Sequence, residues 1–197
     1  MWQKLFQIIV KEINKLIEMS EFILQPMVKV NSFQWISNFP TSSQVCKESL
    51  ELVFPTIINS LGKEHLINSN KSGMLEVSIL LTDNKRIQEL NKYFLGKNKP
   101  TNVLAFPADL SNIPNETDLL VGDIILAWET ILNEANRDNK SISSHVSHLL
   151  IHGFLHLLGY DHQSDITSKK MENLEIMCLK ILNIKNPYSG GREINES

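Results

Sequence analysis

The chain has 197 residues, enough for one domain with a substantial core and short of the usual length for two. Hydrophobic residues make up 42% and charged residues 21%, as in an ordinary soluble globular protein. A net charge of −3 and a sequence pI near 6.1 exclude any global attraction to nucleic acid, so binding of that kind needs a local basic patch.

In chain order, residues 2–24 read as an amphipathic helix, with Trp2, Leu5, Phe6, Ile9, Ile13, Leu16 and Ile17 at three-to-four spacing. It packs on the domain or on a partner, or it is an upstream extension over residues 1–26 that Pro26 ends. Glu12, Glu18 and Glu21 dilute its positive charge and disfavour a membrane surface. The domain proper is expected over 27–184. It opens with a short strand, Met27–Phe33, and a helix from Thr41 or Ser42 to about Ser60 that Pro55 kinks or breaks.

After a polar loop, Leu75–Leu81 is the clearest strand, and Thr82 or Asp83 caps a helix over about 84–94. Gly96–Pro100 is a basic turn, and Thr101–Pro107 a short strand closed by proline. A polar loop, a strand at Gly122–Leu126 and a helix at Trp128–Arg137 follow. Two further helices are expected, at Ile142–Leu158 and from Asp165 to about Leu182, and residues 185–197 read as a tail. This order predicts an α+β single domain, a small mixed sheet with helices packed around it.

Cys46 and Cys178 match no CxxC pattern and fit buried thiols in a reducing cytosol. No apolar run reaches the roughly 18–20 residues that span a bilayer. Lys4, Lys11, Glu12 and Lys15 interrupt any secretory signal, so the expectation is a cytoplasmic protein with no membrane partner.

Four of the six histidines fall between His148 and His162. His152 and His156 are four apart, so on a helix their Cβ atoms lie about 5–6 Å apart on one face. Two imidazoles so placed can share one zinc at about 2.0–2.1 Å. His162 would lie about 15 Å along a continuing helix, out of reach. Gly159 removes that obstacle by ending the helix in the left-handed conformation, so the chain can fold back. The predicted site, at the end of a helix, is therefore His152, His156 and His162 with one open position.

His148 lies one turn earlier and supports the site or packs. His145 and His65 read as surface or partly buried residues. Three histidines with an open position form a catalytic zinc pattern, in which the pKa of bound water falls towards about 7. Nickel or copper would also accept three imidazoles. The zinc protease motif His-Glu-x-x-His needs a carboxylate where this chain has Gly153, which counts against a protease.

The stretch His152-Gly-Phe-Leu-His156-Leu-Leu-Gly-Tyr-Asp161-His162 resembles the signature of the YbeY family of endoribonucleases. Further resemblance lies in Gly96–Pro107, in Gly122-Asp123-Ile-Ile, and in the spacing of Met171, Glu175 and Tyr188. It covers roughly residues 27–188. The resemblance implies a zinc-dependent endoribonuclease selective for single-stranded RNA, acting in 16S (small-subunit) rRNA 3′-end processing and ribosome quality control. It implies His152, His156 and His162 as ligands of one zinc, and rRNA and the small ribosomal subunit or its proteins as partners.

One position departs from the family, which usually has arginine before the glycine of the Gly-Lys-x-x-Pro-Thr segment; here it is Leu95. Leucine can neither hold a phosphate nor offset transition-state charge. Lys92, Lys97 and Lys99 are the candidate RNA contacts nearby, or else a solvated basic turn. Asp161 is a candidate proton acceptor or ligand support, or a plain turn residue. Leu95 also keeps open a non-catalytic, zinc-stabilised ribosome-assembly factor. A zinc hydrolase of peptides or small substrates is a third reading, weakened by Gly153.

Overall fold

The computed structural model describes residues 22–61, 73–108, 119–162 and 164–188. Among them are strands β1 (Phe22–Val30), β2 (Gly73–Thr82), β3 (Val103–Pro107) and β4 (Leu119–Ala127). The helices are α1 (Phe33–Asn38), α2 (Ser42–Leu61), α3 (Asn84–Leu95), α4 (Trp128–Arg137), α5 (Ile142–Leu157) and α6 (Asp165–Ile181). The sheet order is β1-β2-β4-β3; β1 and β4 run parallel to β2, and β3 runs antiparallel to β4. The expected α+β domain with a small mixed sheet is what forms.

Alternation along the strands sorts side chains between two helix layers. Leu75, Val77, Ile79 and Leu81 of β2 join Ile124 and Leu126 of β4 in the main core, with Leu50 and Ile57 of α2, Leu150 and Phe154 of α5, and Leu174 of α6. On the other face, Leu104, Ile125 and Ala127 form a smaller cluster with Ile87 of α3. The histidine helix and α3 therefore lie on opposite faces of the sheet.

The ends of the chain differ from expectation. Residues 22–24 belong to β1, not to a helix, and Pro26 sits within that strand opposite Val77. An edge strand tolerates proline, because the missing N–H need not serve a second neighbour. The expected boundary at Met27 falls inside β1, and residues 1–21 lie outside the described residues. Phe33, expected in a strand, instead starts α1, a helix too short to show periodicity. Fully buried Trp35 anchors α1 by donating its Nε1–H to the Thr82 carbonyl at 2.8 Å. Pro55 does not break α2, since it lies on the exposed side where the carbonyl it leaves without a donor can meet water. The loops expected at 62–73 and 109–120 fall almost wholly outside the described residues.

Asp83 caps α3 by accepting the Arg86 N–H at 2.8 Å, and Gly96, at φ 70, closes it. Burial pushes the Cys46 and Cys178 thiols up to about 12, which leaves them unreactive. No helix among the described residues is long and apolar enough to cross a membrane.

One glycine fixes how the layers meet. Glu76 pairs with Leu120 and Val77 with Gly122, so Val121 is the extra residue of a bulge in β4. Gly122 has φ +148, and a Cβ there would stand 2.4 Å from the Phe106 carbonyl oxygen and 2.9 Å from Leu157 Cδ2. Gly122→Ala is expected to cost about 2 kcal/mol or more, because backbone has to move and the dihedral suits only glycine. Urea denaturation measures this, and an unchanged midpoint would mean that the strand shifts freely.

Candidate metal centre

Helix α5 begins at Ser141, whose side chain accepts the Ser144 N–H, and it ends at a Schellman turn. Tyr160 N–H donates to the Leu155 carbonyl and Gly159 N–H to the His156 carbonyl, with Gly159 at φ +88. This is the terminator expected from the sequence, and it folds residues 160–162 back over the last turn. The sheet-facing side of α5 carries Gly153. A Cβ on Gly153 would stand 3.2 Å from Ile124 Cγ2 and 3.4 Å from Val103 Cγ2, so this glycine seats the helix on the sheet.

The histidines converge. Ligand atoms of His152, His156 and His162 all lie within 4.8 Å of one another. The rings of His152 and His162 stack at 5.0 Å and 18°, and that of His156 stands edge-on to both. His156 Nδ1 lies 2.9 Å from the Tyr160 carbonyl oxygen, which can only accept, so the proton is on Nδ1. His152 Nδ1 likewise faces the Glu175 carboxylate at 2.6 Å. In the neutral rings that a metal ligand requires, both Nε2 atoms then carry lone pairs, and the two atoms face each other at 3.1 Å. Two nitrogens about 2.0–2.1 Å from a tetrahedral zinc stand about 3.3 Å apart. The donor set therefore fits a divalent cation, which would relieve the opposed lone pairs. Burial, followed by the nearby His152, lowers the pKa of His156 and keeps the ring neutral, as a ligand must be.

Glu175 organises this geometry from α6. It is fully buried, and besides His152 it accepts from Tyr188 Oη and faces His148 Nε2 at 3.4 Å. Burial alone would raise its pKa, but the bonds from His148, His152 and Tyr188 outweigh that and hold it at about 2. His148 thus lies outside the three-histidine cluster, against Glu175 and edge-on to the Tyr188 ring. The sequence singled out Glu175 and Tyr188 only through their spacing in the family resemblance and gave neither a role, although a carboxylate flanked by Met171, Leu174 and Cys178 on the buried face of a helix was a usable signal. Tyr188 falls in the stretch expected to be a tail, yet it is tied to the site.

The other expected residues spread out. Asp161 is half-buried and lines a cavity of about 710 Å³ with Ser60, Tyr160, Thr167 and Lys170, outside the histidine cluster. Lys92, Lys97 and Lys99 are exposed at the end of α3 and in the turn after it, as is Leu95. His145, expected near the surface, is buried, with Nε2 2.8 Å from Glu134 Oε2. Glu134 also accepts from Asn102 Nδ2 at 2.9 Å, which fixes the start of β3. His65 lies outside the described residues.

A mixed sheet carrying three converging imidazoles at the end of a helix defines an α+β protein with a candidate metal centre. The family model described as endoribonuclease YbeY matches residues 36–183, and the chain belongs to that family. Endoribonuclease YbeY of Bartonella henselae is 40% identical over 139 residues, covering 71% of this chain and 84% of that protein. The Rhizobium etli endoribonuclease YbeY is 47% identical over 115 residues, covering 58% of this chain and 67% of its own. A Thermotoga maritima protein solved in solution aligns with 89% of this chain and all of its own at 20% identity and a TM-score of 0.44, too distant to add to the fold described above.

Glu175 sets a pH dependence. Its carboxyl titrates at about 2 in the fold against a reference of 4.5, so its contribution is complete above about 4.5 and fades as pH falls towards 2. The stability gap between the native chain and Glu175→Gln should be widest above pH 5 and narrow below it. A gap constant from pH 7 to pH 3 would show that the carboxylate charge contributes nothing.

Proposed function

We propose that the chain is a zinc-dependent endoribonuclease that cuts single-stranded RNA, acting in 16S rRNA 3′-end processing and ribosome quality control with the small subunit as partner. The observation that carries the reading is the pair of Nε2 atoms 3.1 Å apart, with His162 beside them, in a chain of an endoribonuclease family. His152, His156 and His162 are the ligands in this proposal. Zinc held there supplies Lewis acidity to a phosphoryl oxygen and to an attacking water.

The chain's own residues do the rest. Glu175 and the Tyr160 carbonyl hold two imidazoles in the tautomer that presents Nε2. Asp161, adjoining His162 in the folded-back segment, is the candidate to take a proton from the nucleophile. Lys92, Lys97 and Lys99 hold the RNA backbone by charge, with no bidentate fork among them. Nothing near Leu95 in the sequence replaces the guanidinium usual in the family. That favours, as second reading, a zinc-stabilised assembly factor that binds RNA without cutting.

Incubating the purified zinc form with single-stranded RNA, with and without chelator, separates the readings. Cleavage abolished by chelator supports the nuclease, and binding without cleavage supports the assembly factor. His152→Ala and His156→Ala should each lose bound zinc and all RNA cleavage; full zinc content in both would overturn the ligand assignment. Leu95→Arg is expected to raise the cleavage rate by about ten- to a hundredfold, as a charge-stabilising donor does when supplied. An unchanged rate would show that the lysines already serve.

A further inference from the structure

The most exposed apolar side chains of α3 are consecutive and sit at its end: Tyr93 is 82% exposed, Phe94 57% and Leu95 51%. Tyr93 stands edge-on to Phe94 at 4.8 Å, and Phe94 packs at 4.9 Å on Phe106 of β3. Around them lie Lys92, Lys97 and Lys99, and residues 90–107 contain no carboxylate. This stretch carries +3 in a chain whose total is −3.

The topology puts this strip at the same end of the sheet as the histidines. Helix α3 leaves β2 and packs back along the sheet, so it ends near the start of β4. Helix α5 lies antiparallel to β4, with Gly153 over Ile124 and Leu157 over Gly122. Phe106 links the two helix ends. Its ring meets Phe94 on one face, while its carbonyl abuts Gly122, which packs against Leu157, the neighbour of His156. Among the described residues, the edge strand β3 and the start of β4 lie between the rings and the candidate metal centre.

We propose that Tyr93 and Phe94 form a base-stacking platform that holds single-stranded RNA, with Lys92, Lys97 and Lys99 on its phosphates, as the strand passes the end of β3 towards the histidines. The proposal rests on RNA being the substrate, and it adds the bases as a recognised feature. Exposed rings interleaved with lysines suit a strand whose bases are free, since every base offers a π face and every linkage a charge. The chain's own segment 2–21 is a poorer occupant, because Lys4, Lys11 and Lys15 cancel against Glu12, Glu18 and Glu21. An apolar protein partner would make no use of three lysines without a carboxylate.

The test is the affinity of the zinc-loaded full chain for a 2′-O-methyl single strand and for its abasic counterpart of equal length. The base-bearing strand should bind about tenfold tighter, and this preference should collapse in Tyr93→Ala and in Phe94→Leu. Phe94→Leu keeps an apolar contact with Phe106 and removes only the π face, and zinc content monitors folding. Equal affinity for both strands, or a preference retained by both variants, overturns the platform. The latter would leave the rings to a protein partner. These outcomes are independent of cutting. A base preference without cleavage of unmodified RNA sinks the nuclease reading alone, and cleavage without a base preference sinks the platform alone.

Discussion

The site depends on one buried carboxylate. Glu175 is removed from water on α6, and a carboxylate so placed is costly unless donors meet both its oxygens. His152 and His148 supply donors from α5, and Tyr188 supplies one from the segment after α6. Charge-assisted bonds of this kind contribute about 1.5–3 kcal/mol each, and losing one exposes the rest to the desolvation penalty. Two helices and a piece of chain thus close around a single charge. The same contact decides which nitrogen of His152 points towards its neighbours.

The second constraint is backbone. At Gly159 the helix stops while its last turn still presents His156, and the Tyr160 carbonyl orients that ring within four residues. At Gly122 the bulged strand lets Leu157 and the Phe106 carbonyl approach closer than any side chain would permit. At Gly153 the helix settles against Ile124 and Val103. Each glycine replaces a side chain with proximity. Together they set where α5 ends relative to β3, and so where the histidines lie relative to the rings of Phe94 and Phe106.

Local signals served well wherever they were strong. Helix α4 begins and ends where its pattern predicted, α3 begins after the Asp83 cap, and α5 stops one residue short of expectation. Signals failed where a few residues answer to distant partners. Pro26 reads as a helix end, yet pairing with β2 along Phe22–Val30 makes it part of an edge strand. Helix α1 has six residues and no period to read, and it exists because Trp35 fills a core site and reaches the Thr82 carbonyl. His145 looked peripheral because nothing in its neighbourhood reveals Glu134 eleven residues earlier.

The sequence by itself determined the three-histidine spacing, the glycine that folds the chain back, the α+β order of elements and the family signature. All are local patterns, set by helical period and by the dihedral freedom of one residue. Only the tertiary structure decided that Glu175 stands behind His152, that Tyr188 closes over it, and that α3 and α5 end at the same end of the sheet. Those relations join residues 13 or more positions apart through packing and strand order, which no local pattern of sequence contains.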